Sequence, residues 1–549
     1  MNKSLSTIAV DLTPVLPGGE NGGSKVFVLE LLSRLAKIKP ETRFVLLTQA
    51  ASHEELSTLD RSNVRRLMVI GPVVSNLLRP GFRGFAARVL PHLPARLGSA
   101  VRRLGYGFNA ALNGSGSVAR LRNMGADLLF CPFTAPNYFE PGIPAVCTIY
   151  DLQYKTYPEF FTGGDDVAHR DRMFIAACRR ATALAAISDY SREAAITHGG
   201  LDPARIRTIY LRMAHRISPR VEHDQAVLNR LGLIPRRYLI YPANFWKHKN
   251  HEMLLTAFGM ACREGLAVDV KLVCTGAPGA RREWLTSAAR TMSLGDRVIF
   301  PGYLPNEELA ALMGSCRGMV FPSLYEGFGL PVIEAMAAGV PVACSNVTSL
   351  PEVAADAALL FDPRIPTQIA QAMVTLLDDK AIRTRLIEAG QQRAKEFSDT
   401  DRMAREYWEL FQYAVNNQKY DNLMSGAYPD GWVGSSLTVE VASTASAQTV
   451  QISFSAPGWL PQRKVAIQVS LGGKLQGSPH KVDRGANVAL SLPVEPAGGC
   501  YELKISPTFV PARSRYGDDQ RELSLMLQSC RILHADGEII ELFAGKISA

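Results

Sequence analysis

The feature that most constrains this chain is an alternation of short apolar strands with amphipathic helices, run through twice and then abandoned. Strand patterns fall at residues 8–12, 43–48, 127–131, 145–149 and 183–188, with helical periodicity between several of them, as at 24–38 and 170–181. Such alternation argues for a parallel sheet covered by helices. A second series starts near residue 237, with strand patterns at 238–242, 269–274, 297–300, 319–321, 342–344 and 358–361 and helical stretches at 252–262, 306–315 and 331–338. Residues 212–236 read as the link between the two series. A helix pattern at 402–415 follows and is expected to pack back across the first unit. From about residue 425 the helical period disappears. Short alternating runs take over at 437–441, 450–455, 464–471, 487–492, 501–506, 522–532 and 538–543, several separated by Gly and Pro. That is the pattern of an antiparallel sandwich. The expected fold class is therefore α/β, two doubly wound units, plus a C-terminal all-β sandwich. The expected boundaries are 1–211, 212–400, a return helix and linker at 401–424 (with 416–436 linker-like in texture), and 425–549.

A length of 549 residues at 47% hydrophobic content suits about three domains. No apolar run reaches the roughly 18 residues of a membrane span. The first residues lead straight into a strand pattern and lack the apolar stretch of a secretory signal. Nine scattered cysteines, none in a C-x-x-C pair, argue against a disulfide framework or zinc site and for a cytoplasmic setting. The net charge of +9 is uneven. Residues 61–126 hold eleven arginines and no Asp, Glu or Lys. The rest is close to neutral, so the basic balance does not imply nucleic-acid binding.

The most informative stretch is Pro322-Ser323-Leu324-Tyr325-Glu326-Gly327-Phe328-Gly329-Leu330-Pro331-Val332-Ile333-Glu334 and the residues up to Gly339. A strand runs into a glycine-bearing loop and then a helix. Pro331 suits the first helical position, where its missing N–H costs nothing, and Gly339 suits the helix end. Free N–H groups at a helix N-terminus form an anion site that a diphosphate would fit. Glu326 and Glu334 bracket it. Carboxylates accept hydroxyl donors, as sugar and ribose hydroxyls require. Glu334 also reads simply as a first-turn charge complementing the helix dipole.

This segment resembles the E-x7-E motif of retaining glycosyltransferases of family 4. Supporting segments are Tyr241-Pro242-Ala243-Asn244-Phe245-Trp246-Lys247-His248-Lys249-Asn250, similar to the family's K-N segment, Val298 through Gly302-Tyr303-Leu304, and Leu350-Pro351-Glu352 through Asp362-Pro363. The resemblance covers about residues 5–415 and implies the GT-B architecture, two Rossmann-like domains facing a cleft. It implies that Glu326 contacts the transferred sugar, that the backbone of 327–330 (Gly327, Phe328, Gly329, Leu330) meets sugar and diphosphate, that Glu334 holds the ribose and that Lys249 neutralises the departing diphosphate. Gly302 and Tyr303 fall on the donor side. The loop Pro17-Gly18-Gly19-Glu20-Asn21-Gly22-Gly23-Ser24 resembles the family's glycine-rich loop. Gly19, Gly22 and Gly23 would then face the donor phosphates, although a plain flexible turn has the same composition. Two departures stand out. Where many members carry an arginine before the K-N lysine, this chain offers Asn244, with Lys247 as the nearest cation. Where many carry His-Asp after the strand ending near 149, this chain has Tyr150-Asp151. Asp151 could orient the acceptor hydroxyl or merely cap a turn. His248 and His251 read as hydrogen-bonding residues.

The resemblance implies retention of anomeric configuration and a nucleotide-diphosphate sugar as substrate (a GDP-sugar is the expectation); no His/Cys/Asp cluster has metal-ligand spacing, so no metal or other cofactor is expected. The acceptor would be a glycan or lipid-linked glycan, and the sugar a hexose of mannose or rhamnose type used in surface polysaccharide. Residues Leu97, Val101, Leu104, Phe108 and Leu112 form an apolar stripe beside Arg102 and Arg103, which fits either membrane docking or packing on the protein itself. Trp432, Trp459, Tyr501 and Tyr516 in the last domain fit a core or a sugar-stacking face. The competing functions are a nucleotide-sugar epimerase of the same fold and a non-catalytic carbohydrate-binding scaffold.

Overall fold

The computed structural model describes residues 5–17, 22–71, 121–134, 137–140, 143–161, 164–217, 224–417, 423–428, 430–442, 448–472, 474–496, 498–514, 519, 521–535 and 537–544. Gly19, Tyr516 and nearly all of the arginine-rich segment, with its stripe and Arg102 and Arg103, lie outside these. The chain forms two compact units, one of 1–138 with 145–416 and one of 139–144 with 417–549.

The first unit holds two parallel sheets. One contains β1 (Thr7–Asp11), β2 (Arg43–Gln49), β3 (Val64–Ile70), β4 (Leu128–Cys131), β5 (Ala145–Ile149), β6 (Ala183–Ala186) and β7 (Ile206–Thr208), in the order β3-β2-β1-β4-β5-β6-β7. The other contains β8 (Tyr238–Pro242), β9 (Lys271–Thr275), β10 (Val298–Gly302), β11 (Gly318–Phe321), β12 (Val342–Ser345) and β13 (Ala358–Phe361), in the order β10-β9-β8-β11-β12-β13. The central strands are apolar along their length because helices cover both faces. Ile8, Ala9 and Val10 in β1, and Tyr238 through Tyr241 in β8, are fully buried.

Each sheet reverses its strand order once, between β1 and β4 and between β8 and β11. Loops leaving the carboxyl ends of the strands diverge there and open a crevice. Helix α1 (Gly22–Ile38) follows β1 and buries Phe27, Val28, Leu31, Leu32 and Leu35 on its inner face. Helices α2 (Gly164–Arg180) and α3 (Asp189–Gly199) belong to the first lobe. Helix α4 (Leu330–Ala337) follows β11, and α5 (Leu350–Ala354) follows β12. The return helix, α6 (Thr400–Asn416), buries Met403, Tyr407, Leu410, Phe411 and Ala414. Its Tyr407 hydroxyl lies 3.2 Å from Thr148 Oγ1, and Phe411 packs 5.0 Å from Phe130. The last helix of the unit thus closes on the first lobe.

The second unit is a pair of antiparallel sheets. β14 (Leu423–Ala427), β15 (Val433–Val441), β20 (Gly499–Ser506), β17 (Lys464–Leu471) and β18 (Lys474–Asp483) form one, in that order. β19 (Asn487–Val494), β16 (Gln448–Ser455), β21 (Met526–His534) and β22 (Ile539–Ala544) form the other. Alternate residues such as Val450, Ile452 and Phe454, or Val465, Ile467 and Val469, point into the core. Part of the stretch read as linker is the strand β14, paired with β15 through Ser425 and Thr438. Tyr501 is buried, with its hydroxyl donating to the carbonyl of Pro493. Trp432 is half-buried, 5.5 Å from the half-exposed ring of Trp459.

Candidate active site

The loops at the two switch points converge on one cavity of about 790 Å³ in the first unit, within the usual size range of small-molecule sites. From the second lobe it is lined by Asn244, Trp246, Lys249 and residues 326–331. From the first lobe come Gly22, Gly23, Thr134, Tyr150, Asp151 and a face of α2 that includes Asp166, His169 and Arg170.

Local sequence explains how the second-lobe loops are held. Asn250 ends a single turn, 247–249, in a left-handed conformation at φ 61°, which asparagine tolerates better than most residues. Its side-chain amide donates to the carbonyls of Pro322 (3.1 Å) and Pro363 (2.8 Å). The hydroxyl of Tyr241 donates to the carbonyl of Lys249 at 2.8 Å and meets Ser323 Oγ at 3.1 Å. The loop after β8 is thereby stitched to the loop after β11. Glu326 is fixed at both ends of its peptide unit: its N–H donates to Thr348 Oγ1 (3.1 Å) and its carbonyl accepts from Ser349 Oγ (3.0 Å).

These restraints bring Lys249 Nζ to 2.6 Å from Glu326 Oε1, with side chains 13% and 11% exposed. The two groups therefore share the cavity wall as a mostly buried ion pair, and removing one partner would strand the other. Beside them, α4 begins at Gly329, whose φ of 97° demands glycine. Gly23, at the start of α1, faces Leu330 closely enough that a Cβ would sit 3.5 Å from Leu330 Cδ1. Two helix N-termini thus meet at the cavity. Neither carries an acidic residue in its first turn, so no first-turn carboxylate of its own offsets the positive dipole end.

The two lobes meet closely around Gly327. A Cβ there would lie 2.2 Å from the carbonyl oxygen of Tyr150 and 3.2 Å from Asp151 Cβ. Across the same seam, Glu352 of α5 accepts from the N–H groups of Asp189 (2.6 Å) and Tyr190 (3.0 Å), capping α3 of the other lobe. Asp151 opens onto the cavity, and its Oδ1 accepts from the N–H of Gln153 at 3.1 Å. Desolvation by the surrounding walls raises its pKa. Tyr150 turns its hydroxyl inward, where it has no hydrogen-bond partner among the described residues; its ring packs edge-on against Phe27 at 6.1 Å. Behind the wall, Asp11 at the end of β1 is fully buried. It accepts from Thr13 N (3.0 Å), Thr13 Oγ1 (2.6 Å) and Asn137 (3.1 Å). Desolvation outweighs these bonds and pushes its pKa up to about 6.

The remaining sequence-predicted residues stand elsewhere. Lys247 is exposed and does not line the cavity. Gly302 is buried at the end of β10, and Tyr303 is 69% exposed; neither lines it. Glu334 is 1% exposed and lies off the cavity surface. Its Oε1 accepts from Arg216 Nε at 2.6 Å, and desolvation still raises its pKa despite that cation. Among the described residues His251 finds no hydrogen-bond partner at either ring nitrogen. It is wedged between Tyr241 and Phe245, and burial lowers its pKa to about 3. Burial likewise lowers His248 to about 4. Both are neutral at pH 7. Sequence reasoning missed Arg216 and the α2 residues. Among the described residues no group of three or more metal-ligating side chains converges, and no helix is long and apolar enough to cross a membrane.

Residues 233–393, which contain both second-lobe loops, match the model of a family described as glycosyl transferases group 1. The chain is 32% identical over 269 residues to O-antigen chain mannosyltransferase B of Escherichia coli, a match covering 48% of this chain and 70% of that protein. The chain belongs to the glycosyl transferases group 1 family. It is also similar to the serotype-specific mannosyltransferase WbdA of Escherichia coli, at 28% identity over 46% of this chain but only 31% of that much longer relative. The crystal structure of Anabaena HepE in complex with UDP and glucose aligns over 74% of this chain and 98% of its own, at TM-score 0.54 and 16% identity. At that identity the likeness shows the fold alone, two Rossmann-like lobes of the GT-B type. The family match ends before α6 and the β-sandwich.

Proposed function

We propose that this member of the family is a retaining hexosyltransferase. It would move a mannose- or rhamnose-type sugar from a nucleotide-diphosphate donor, a GDP-sugar in the first instance, to a glycan or lipid-linked glycan during surface polysaccharide assembly. The observation that carries the reading is the meeting of the Lys249–Glu326 pair with the glycine-bearing start of α4 on one cavity. The two Escherichia coli relatives, an O-antigen chain mannosyltransferase and a serotype-specific mannosyltransferase, support the choice of sugar and of acceptor class.

In this reading the diphosphate lies against the N–H groups at 327–330, with Gly22 and Gly23 opposite. Lys249 leaves Glu326 to meet the leaving phosphate, and Glu326 takes sugar hydroxyls instead. Asn244 stands at the donor end, and the Glu334 carboxylate underlies the ribose. The acceptor oxygen bonds to the anomeric carbon as the carbon–phosphate-oxygen bond breaks on the same face. The proton passes to the leaving phosphate. No protein nucleophile is needed. Asp151 orients the acceptor hydroxyl from the other lobe. Preformed donors aimed at the developing charge are worth about 3–4 kcal/mol each in such sites.

The test is a thermal-shift panel of GDP, UDP, dTDP and ADP, followed by assay of nucleotide release with and without a mannan-type acceptor. A nucleotide that binds only the folded chain at a hundred times its Kd adds about 2.7 kcal/mol of stability. A raised melting temperature with one diphosphate and acceptor-dependent release are expected, with the product's anomeric configuration retained by NMR. Interconversion of donor sugars without acceptor favours the epimerase. No shift and no release with any donor sinks the proposal.

A further inference from the structure

The family pattern's arginine is replaced here by Asn244, and Lys247 faces solvent, which leaves the donor site short of positive charge. Among the described residues, only three arginine or lysine side chains line the cavity: Arg170, Lys249 and Arg216. Arg170 belongs to the first lobe, pairs with Asp166 at 3.2 Å and stacks over Phe161 at 4.9 Å. Lys249 is neutralised by Glu326. Arg216 comes from the segment linking the lobes and is bound to the second lobe. Its Nε donates to Glu334 at 2.6 Å and its Nη1 to Asn306 Oδ1 at 3.3 Å. Its side chain is 24% exposed. A guanidinium has five N–H donors in a rigid plane. Two bonds hold Arg216 in place and leave Nη2 with no partner among the described residues.

We infer that Arg216 is the second cation of the donor site, gripping the diphosphate in place of the arginine absent at 244 while its Nε keeps the ribose-side carboxylate of Glu334 in position. This rests on the donor-site reading above. A lysine could not serve equally, because a point charge cannot bond a carboxylate and a phosphate in one fixed plane.

The experiment uses the full chain. Whichever of GDP, UDP, dTDP and ADP binds wild type is titrated calorimetrically, together with its monophosphate and its nucleoside, into wild type, Arg216→Gln, Arg216→Lys and Glu334→Gln. Charge-assisted hydrogen bonds set the expected loss at about 10- to 100-fold in diphosphate affinity for Arg216→Gln. Nucleoside affinity should change less than threefold, and Arg216→Lys should recover only part of the loss. Glu334→Gln should weaken nucleoside and diphosphate by the same factor. If Arg216→Gln fails to fold because Glu334 is left as a stranded charge, the paired Arg216→Gln/Glu334→Gln chain removes that charge. Measured against Glu334→Gln, it must still show the diphosphate-specific loss. Equal losses of nucleoside and diphosphate in Arg216→Gln, or no loss, overturn the inference while the donor-site reading stands. Failure of wild type to bind any of the four diphosphates overturns both.

Discussion

Replacing Gly327 by alanine tests whether the seam between the lobes is part of the machinery. The backbone at this position does not require glycine by its φ, so the substitution acts through space alone. The added methyl would lie 2.2 Å from the Tyr150 carbonyl oxygen, 3.1 Å from its carbon and 3.2 Å from Asp151 Cβ. Two of these neighbours are backbone and cannot swing away. Restoring ordinary contact requires a displacement of about 1 Å, since carbon contacts are optimal near 3.5–4 Å and soften only slightly below that. The movement falls on the peptide that carries Asp151 and on the loop that carries Glu326. It separates acceptor side from donor side. Overpacking of this kind costs about 1–3 kcal/mol of stability, and a 1 Å misplacement of reacting groups costs about 10²-fold in rate. Acceptor-dependent nucleotide release should therefore fall about 10²-fold in Gly327→Ala, mostly in kcat. The melting temperature should drop by only a few degrees, and the affinity for free nucleoside diphosphate should fall far less than turnover, because Lys249 and the N–H groups of 328–330 stay together on the second lobe. A variant that turns over within threefold of wild type would refute the argument that lobe contact at this point sets the reacting geometry.

Three further outcomes follow from the same structure. Glu326→Gln frees Lys249 from its 2.6 Å partner; turnover should fall by at least about 10²-fold, while calorimetry should show diphosphate binding as tight as in wild type or tighter. Weakened diphosphate binding would contradict the assigned roles. Asn250→Ala loses bonds to the carbonyls of Pro322 and Pro363 and places alanine at φ 61°, a combined cost of about 2–4 kcal/mol read as a lowered denaturation midpoint; Asn250→Gly should recover roughly 1 kcal/mol of it by relieving the backbone. Asp11 has a folded pKa of about 6 against an ordinary 3.8. Its neutral form is favoured in the fold, so the stability it contributes is complete below 3.8 and lost as pH rises to about 6, a swing of about 3 kcal/mol. The melting temperature of Asp11→Asn relative to wild type should accordingly climb between pH 4 and 6.5, and a flat difference across that window would show that Asp11 does not titrate there.

The parts of this molecule that were legible in the sequence share a physical property: their signal is local. Strands buried on both faces, such as Tyr238–Pro242 and Ala145–Ile149, appear as apolar runs at their observed bounds. Glu326, Gly329, Lys249 and Asn250 sit in two loops whose roles depend on turns and caps a few residues away. Signals that depend on packing were not legible. β18 pairs with β17 but exposes nearly every side chain, so it shows no period; its Lys474, Pro479 and Lys481 are what an edge strand uses to discourage further pairing. β3 interleaves Arg65 and Arg66 with apolar residues at the other sheet's edge and disappears into the arginine-rich stretch. Lys247 and Lys249 are neighbours in the motif, yet one tight turn rotates about 120° per residue and turns one to solvent and the other to the cavity wall. Glu334 shows the limit most sharply. Eight residues from Glu326 in a known spacing, it looked self-explanatory as a helix charge or a ribose ligand. What governs it is an arginine 118 positions upstream, at 2.6 Å, in a segment with no motif and no period. Motif spacing can report the loss of a cation from one loop. Its replacement by a side chain arriving from a distant segment becomes visible only when the packing that delivers it is known.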